Sequence, residues 1–574
     1  MADSAATLID RAWDRILAGD PVTALRLGRQ VEALPRGGAD TTTQRVTEAR
    51  ADLARWARTR PDDDTGDDTG DRTEEGPGDG SGDGSGDRHA GAFVRDHLAQ
   101  EVAEAERFWF RFPVTPYNVM VLADYRDDVL GRLPLVDAAD VARYLGLLDD
   151  YVGVVREMRA TVEQQRRRGI RLPGWAMSAA LDAVRGQADS TAGLVPGADR
   201  SASLAPGPAG RLRDGATRTV RDDLPAAFDA LLAEIGAGDG ASGVGIGQYP
   251  GGAECYDGLI RLHTGLDLAA DEVHRIGLSE VDRLTDVIRA ELGIADEAGH
   301  RRALLADPRT YAGSPAELEA TFRRHVDRLG DMVSRYFGPL PAAPFRLRRL
   351  PSALEGGMTY GYYEPVAADG CGYYHYNGSD LAHRPLAQAA SIIYHEGLPG
   401  HHLQLGRQRE NTGLHPVRRE FTMLRTFATN GFLEGWAEYA AGYCDVLGLY
   451  ADPFDRYGRL SSERFHAARL VVDTGLNVLG WSRERAADFL RTNGFLSDGE
   501  IGTELVRYAV DDPGQALGYH LGHWELRRLG AGADPLAFHT AVLDVGPLPL
   551  RLLGDAVAAH REAAQQPRSA PNDA

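Results

Sequence analysis

An eight-residue run at 395–402, His-Glu-Gly-Leu-Pro-Gly-His-His, constrains this chain more than any other stretch. It places three imidazoles and one carboxylate close together in the sequence, and these groups bind metal ions and move protons in proteins. On a straight α-helix, His401 would lie about 240° around the axis from His395, and His402 would lie about 10 Å farther along it. No unbroken helix therefore brings His395 together with either of the later histidines.

The two glycines and the proline between the histidines supply a break. Pro399 lacks a backbone amide and disfavours helical geometry at the residue before it, while glycine permits turns that other residues rarely adopt. The sequence predicts that one helix ends near Glu396, that a tight turn follows, and that a new helix begins after it. The turn folds a second histidine back beside His395. His401 is favoured for this position, and His402 is the alternative.

A second motif, Glu-Gly-Trp-Ala-Glu at 434–438, follows about forty residues later. Glu434 and Glu438 are four residues apart and share one face of a helix, and most of their neighbours are apolar. Carboxylates buried in such surroundings need partners. We therefore predict that Glu434 is a metal ligand and that Glu438 accepts the free ring N–H of a ligand histidine, as such carboxylates do at metal sites.

Two histidines and a glutamate are a common ligand set for catalytic zinc, which keeps a fourth position for water. The metal lowers the pKa of that water, and a nearby carboxylate takes its proton. The sequence predicts one zinc ion per chain, held by His395, His401 and Glu434, with His402 beside the ligands. Glu396 would be the general base in hydrolysis of peptide or other amide bonds. The alternative is a catalytically degenerate protein of the same fold that serves binding or structure.

A carboxylate-rich di-iron oxidase is a third class of helical metalloprotein. Such a centre needs a pair of Glu-x-x-His motifs. We find no convincing pair in the sequence, so this class is disfavoured.

Composition excludes several other classes. The formal net charge of −21 over 574 residues argues against nucleic acid and anionic membranes as partners. The chain has no lysine, which excludes Schiff-base lysines, Ser-Lys dyads and phosphate-loop lysines. Its three cysteines are far apart, so neither a disulfide framework nor a thiolate zinc site is indicated. Neither a secretory signal nor an apolar run of about 18 residues is recognised, so a cytoplasmic location is expected.

The order of patterns along the chain predicts a mainly α protein with a small β-sheet, an α+β fold. Three short alternating segments predict strands, at 345–350, 358–363 and 373–376. The expected oligomeric state is a monomer or a homodimer. The predicted divisions are N-terminal helices at 1–60, a disordered acidic insertion rich in Gly and Asp at 61–90, an α-rich catalytic domain at 91–564 and a flexible tail at 565–574.

Both motifs resemble those of the bacterial domain-of-unknown-function 885 family, which is grouped with the zincin-like metallopeptidases. The family's His-Glu-x-x-Pro-Gly-His-His-Leu-Gln run is matched at 395–404, and its Glu-Gly-Trp-Ala-Glu-Tyr run is matched at 434–439. The first run is also similar to the Gly-His-x-Leu of oligopeptidases, which favours His401 as the ligand. Further matches lie at 469–475, 513–519 and 546–550, and the resemblance covers roughly residues 92–555.

The resemblance implies a zincin-like, gluzincin-type fold, with a large helical shell around a cleft and a small sheet. An edge strand of that sheet would bind an extended peptide by strand addition. Residues 373–377 would be that strand, which would place Tyr376 and Asn377 at the substrate. The chain departs from the family at Asn477 and His520, where the family often has His and Lys, so the resemblance leaves the preferred substrate open.

The resemblance also implies a second hydrogen-bond donor for the tetrahedral oxyanion of amide hydrolysis. Tyr508 and Tyr519 are the candidates, and His520 is a third. Arg469 or Arg507 would receive a carboxylate of the substrate by a bidentate pair, with an ordinary salt bridge as the alternative for each. The expected partner is thus a peptide or a small amide substrate.

Overall fold

The computed structural model describes residues 4–35, 37, 39–58, 87–106, 111–355, 360–367, 369–420 and 429–565. The chain forms two compact units. Most of the predicted acidic insertion and of the predicted tail lies outside the described residues, and the predicted divisions stay predictions. The first unit comprises Met1–Asp68, Val94–Gly258 and Val506–Pro513, and the second comprises Thr69–Phe93, Leu259–Leu505 and Gly514–Ala574.

Helices dominate the first unit, and α6 is the longest of them. Asp137 caps α6, because its side chain accepts hydrogen bonds from the backbone amides of Ala139 and Asp140. The apolar side of α6 packs against α8 and α9. The described α-helices up to residue 264 are α1 (Ala5–Gly19), α2 (Pro21–Arg26), α3 (Ala39–Trp56), α4 (Ala90–Glu106), α5 (Val121–Ala123), α6 (Ala138–Arg167), α7 (Met177–Asp189), α8 (Pro206–Arg218), α9 (Leu224–Ile235) and α10 (Gly252–Thr264).

The second unit is built around one buried helix, α20. Asp452 caps it, Pro453 occupies its first turn, and nearly all its residues are buried. It packs against α11, α16, α21 and α23, so its charged side chains need partners inside the protein. The later described helices are α11 (Ala270–Leu292), α12 (Glu297–Ala306), α13 (Pro315–Leu329), α14 (Met332–Phe337), α15 (Ser352–Glu355), α16 (Ala389–Glu396), α17 (His401–Glu410), α18 (Pro416–Arg419), α19 (Asn430–Val446), α20 (Pro453–Asn477), α21 (Arg483–Asn493), α22 (Asp498–Val506), α23 (Leu517–Gly530), α24 (Pro535–Val545) and α25 (Leu550–Gln565).

Within the described ranges, no single helix is long and apolar enough to cross a membrane. Helices α24 and α25 meet that criterion only as a pair, and the chain bends by 119° between them.

Three strands form a small mixed sheet, β1 (Phe345–Arg349), β2 (Gly361–Glu364) and β3 (Gly372–Tyr376). The central strand β3 runs parallel to β1 and antiparallel to β2. Tyr374 is opposite Leu347 on one side and Tyr363 on the other, so these three side chains share a face of the sheet. The predicted mainly helical fold with a small sheet is confirmed.

The prediction that 373–377 forms an edge strand is wrong. Both sides of β3 are hydrogen-bonded to neighbouring strands, which leaves no free edge for a peptide. The hydroxyl of Tyr376 donates to Glu319 Oε2 at 2.9 Å, and the side-chain amide of Asn377 donates to the carbonyl oxygen of Glu355 at 2.7 Å. Both side chains are buried. They therefore hold the end of the strand within the fold.

Candidate metal centre

The chain breaks between the two histidine-bearing helices at the place that the sequence predicts. Helix α16 ends at Glu396 and α17 begins at His401, which confirms the two helices and the turn between them. The backbone amide of His402 donates to the carbonyl oxygen of Gly397 at 3.0 Å. A Cβ at Gly400 would lie 1.8 Å from the carbonyl oxygen of His395. Only glycine therefore lets the turn come this close to the end of α16.

Helix α19 packs against the same turn and carries the second motif. The buried indole of Trp436 donates its N–H to the carbonyl oxygen of Pro399 at 3.1 Å. On α19, a Cβ at Gly435 would lie 2.4 Å from the Cα of Gly522 on α23. The two helices thus meet backbone to backbone, and this contact fixes the position of α19 and its carboxylates.

Side chains from α16, α17 and α19 converge on one point. His395 Nε2 and His401 Nε2 lie 3.4 and 3.5 Å from Glu434 Oε2. One possible ligand atom from each residue lies within 4.8 Å of those of the other two. Ligands at about 2.0–2.2 Å from zinc at tetrahedral angles stand about 3.3–3.6 Å apart. Both nitrogen–oxygen distances fall in that range.

The hydrogen bonding of the cluster also fits a cation. Glu434 Oε2 is buried and makes no hydrogen bond within the described part of the chain. Burial of a carboxylate oxygen without a partner is unfavourable, and a cation would supply that partner. No second group of three His, Cys, Asp or Glu with this spacing is found among the described residues. Ligand type, number and spacing therefore all suit a metal ion.

The charges in this cluster act strongly on one another. Burial lowers the pKa of His395, but the nearby carboxylates of Glu434 and Glu438 outweigh burial and raise it to about 10. Burial raises the pKa of Glu434, but His395 and His401 outweigh it and hold that pKa well below its ordinary value. The pKa of Glu396, which stands outside the three converging side chains, is raised by burial. A carboxylate with a raised pKa accepts a proton more readily, as a general base must.

Glu438 stands behind His395 and orients its ring. Glu438 Oε1 lies 2.8 Å from His395 Nδ1, so a proton on Nδ1 leaves Nε2 free to face Glu434. This is the contact that the four-residue spacing predicts. Glu438 Oε2 lies 2.9 Å from Arg459 Nη1 and 3.0 Å from His466 Nδ1.

Tyr519 packs beside the cluster on α23. Its ring is nearly parallel to those of His395 and His466, with centroids 6.1 and 5.2 Å away. The guanidinium carbon of Arg469 lies 4.7 Å from the Tyr519 ring centroid, and Arg469 Nη2 lies 3.2 Å from Glu504 Oε2. Arg469 is thus near the site in a buried ion pair. Its role toward a substrate carboxylate, and that of Tyr519 toward an oxyanion, stay predictions.

His402 lies away from the cluster, so the prediction that it stands beside the ligands is wrong. Consecutive helical residues point about 100° apart, so His402 cannot face Glu434 when His401 does. His402 Nδ1 lies 2.8 Å from the hydroxyl of Tyr363, and its ring packs against Phe345. His402 therefore joins α17 to the sheet.

Two further predicted site residues, His520 and Tyr508, have other surroundings. His520 is buried beside Glu280, with 3.5 Å between its Nε2 and Glu280 Oε2. Tyr508 is buried in the first unit, in the helical turn Arg507–Asp511 that also holds the alternative arginine. Their predicted roles toward substrate remain predictions.

The sequence did not point to three polar or charged residues of α20, which are Arg459, Glu463 and His466. Their spacing of four and three residues puts them on one face of the helix. Such a stripe in a sequence is typical of a solvated face. Only the burial of α20 on all sides shows that these residues face the interior.

Comparison with known proteins identifies the family of the chain. The model of bacterial proteins of unknown function (DUF885) matches residues 21–557. The chain belongs to this family. No curated protein matches this DUF885 protein significantly.

Two solved structures share the fold. A "putative lipoprotein" from Colwellia psychrerythraea is 22% identical with a TM-score of 0.80, and the match covers 97% of this chain and 99% of that one. A "putative lipoprotein of unknown function" from Shewanella oneidensis is 16% identical with a TM-score of 0.71, over 97% and 100% of the two chains. At these identities the similarity extends to the fold.

Proposed function

We propose that this DUF885 protein is a zinc-dependent hydrolase of peptide or other amide bonds with a zincin-like, gluzincin-type fold. The observation that carries the proposal is the convergence of His395 Nε2, His401 Nε2 and Glu434 Oε2. These three residues would hold the metal. Two histidines and one glutamate leave a coordination position open, as catalytic sites do and closed structural sites do not. Zinc in such a site activates water and polarises a carbonyl group.

The neighbouring side chains have separate tasks in this proposal. Glu396 accepts a proton from the attacking water and returns it to the leaving amine, because it follows the proposed ligand His395 directly and is not one of the three converging side chains. Glu438 fixes the ring of His395 through Nδ1. Tyr519 is the candidate donor to the oxyanion because it packs against His395.

Glu396→Gln tests the general base, since it keeps the shape of the side chain and removes the proton acceptor. We expect wild-type zinc content and a loss of hydrolysis of about 10²–10⁴-fold. A mixed peptide library read by mass spectrometry, with metal analysis of the same samples, measures both. Glu562→Gln, on an exposed position of α25, is the matched control and should keep full activity.

Each other outcome points to a different conclusion. A Glu396→Gln variant with full activity excludes Glu396 as the base. A wild-type protein that binds zinc and cleaves no peptide or amide favours the alternative, a protein of this fold that serves binding or structure. A wild-type protein that neither contains zinc nor takes it up contradicts the metal site.

A further inference from the structure

We propose that Arg459 is a positioning residue of the metal cluster, which holds Glu438 in the orientation that fixes the ring of His395. The inference rests on the proposed zinc site and adds to it a residue from a fourth helix, α20. It concerns metal affinity, which is measured independently of hydrolysis.

Arg459 connects two of the three helices that carry the converging side chains, α16 and α19. Its Nη1 lies 2.9 Å from Glu438 Oε2 on α19 and 3.3 Å from Ser391 Oγ on α16. Its Nη2 lies 3.4 Å from the backbone carbonyl oxygen of Glu438. Ser391 stands one turn before His395, and Glu438 stands one turn after Glu434. One guanidinium therefore fixes the relative position of α16 and α19 within a turn of two predicted ligands.

The carboxylate of Glu438 requires such a partner. Glu438 is 2% exposed and Arg459 is 1% exposed, so water cannot replace either side of this pair. Oε1 faces His395, and Oε2 faces Arg459 and His466. Of these three neighbours only the guanidinium carries a permanent charge. Without Arg459, the carboxylate loses its fixed cation and one of the two contacts of Oε2, so Oε1 is held less firmly against His395.

A chain of alternating charges holds Arg459 in turn. Arg459 Nη2 lies 3.1 Å from Glu463 Oε2, and Glu463 Oε1 lies 2.8 Å from Arg283 Nη2. Arg283 also contacts Glu280 at 2.8 Å and is 37% exposed. The chain thus runs from the buried cluster to a partly solvated arginine. Because solvent screens the outer end, the influence on the metal should decrease from Arg459 to Arg283.

A double-mutant cycle on the full chain tests the inference. Zn²⁺ dissociation constants are measured by competition with a chromophoric chelator for the wild type, Arg459→Met, Glu438→Gln and the double variant. The absorption spectrum of bound Co²⁺ reports ligand geometry. We expect each single variant to bind Zn²⁺ about 10–100-fold more weakly, as for other partners of ligand histidines. The double variant should bind about as weakly as Glu438→Gln, because Arg459 acts through Glu438.

Two further variants complete the design. Arg283→Met is the control at the outer end of the chain and should change the Zn²⁺ dissociation constant by less than about threefold. Arg459→Lys keeps the charge and loses the fork that reaches Ser391 and Glu438 together, so its affinity should fall between those of the wild type and Arg459→Met. It takes the place of Arg459→Met if that variant does not fold. Thermal unfolding of each metal-free variant establishes that the samples are folded.

The outcomes separate the inference from the proposed function. Arg459→Met, or Arg459→Lys in its place, with wild-type affinity and Co²⁺ spectrum overturns the inference, and so do losses that add in the double variant. The expected order of affinities in a protein that hydrolyses nothing would leave the inference standing and remove the hydrolase. A wild type without affinity for Zn²⁺ overturns both.

Discussion

Between His395 and His401 the chain makes a turn that leaves no space for a side chain at Gly400. A Cβ there would meet the carbonyl oxygen and carbon of His395 at 1.8 and 2.5 Å. These are backbone atoms at the end of α16, so no rotamer change relieves the contact. The turn must move, and it carries His401 with it. The spacing of the predicted ligands is therefore set by a residue that is not itself one of them.

Gly400→Ala should weaken zinc binding by at least about tenfold and lower the free energy of unfolding by about 1–3 kcal/mol, as backbone overpacking does. Metal competition and urea unfolding measure the two effects. Gly502→Ala is the matched control, since a Cβ at Gly502 on α22 meets nothing within 4 Å. It should keep wild-type affinity and stability or gain up to about 1 kcal/mol of stability. Gly400→Ala with unchanged affinity would show that the turn does not set the ligand spacing.

The site residues whose positions were predicted correctly lie only a few residues from one another in the sequence. The break at Pro399 explains how His401 reaches His395. The four-residue spacing on a helix places Glu438 on the same face of α19 as Glu434. Arg459 could not be found this way, because its contact with Glu438 depends on how α19 and α20 pack. His402 was misplaced because proximity in sequence is not proximity of side chains on a helix.

At the scale of secondary-structure elements, the crossing of α19 and α23 decides where the cluster stands. Gly435 and Gly522 face each other, and a Cβ at Gly522 would lie 2.0 Å from the carbonyl oxygen of Gly431 and 2.6 Å from the Cα of Gly435. This approach holds Tyr519, one turn before Gly522, against His395. Any side chain at the crossing must separate the two helices.

Gly522→Ala should therefore lower the free energy of unfolding by about 1–3 kcal/mol and displace Tyr519 from His395. Urea unfolding measures the first effect. The fluorescence of Trp436, replaced by Phe in a control sample, reports movement of α19. The same Gly502→Ala control applies. Wild-type stability in Gly522→Ala would mean that the two helices accommodate a methyl group without separating.

The strands were predictable from sequence, but their order was not. Alternation in Phe345–Arg349 and the aromatic run in Gly372–Tyr376 each predict extended chain, and both are strands. Strand order depends on pairing between distant segments, which alternation does not encode. One signal was available, because β3 has no charged residue and is buried along its whole length, as a central strand is.

At the scale of the whole molecule, the second unit buries several histidines that the proposed metal does not use. Burial, aided by Arg328 and Arg324, lowers the pKa of His325 to about 4. Burial also lowers the pKa of His539 to about 4, although its Nδ1 hydrogen bond to the Tyr336 carbonyl oxygen opposes the shift. Both rings are less than one-tenth exposed, so solvent screens them little. These rings are therefore neutral at neutral pH in the folded protein.

This arrangement predicts a loss of stability in mild acid. An unfolded histidine binds its proton near pH 6.5, whereas the folded rings bind theirs only near pH 4, so the unfolded chain gains more protons between these values. Stability is then fully present above about pH 6.5 and falls as the pH drops toward 4. Lowering the pH from 7 to 5 decreases the free energy of unfolding by about 2 kcal/mol for each such ring.

Urea unfolding of the metal-free protein from pH 7 to pH 5 measures this loss, and His539→Gln isolates one ring. His539 Nε2 lies 2.8 Å from the Tyr439 hydroxyl, and the glutamine amide retains a donor and an acceptor at this position. The variant should be less stable than the wild type at pH 7. Between pH 7 and pH 5 the free energy of unfolding of the wild type should fall by about 2 kcal/mol more than that of the variant. Parallel curves for the two proteins would mean that His539 takes up its proton equally in the folded and unfolded states. The acid sensitivity would then have to arise from other buried groups, of which His325 is the next to be replaced.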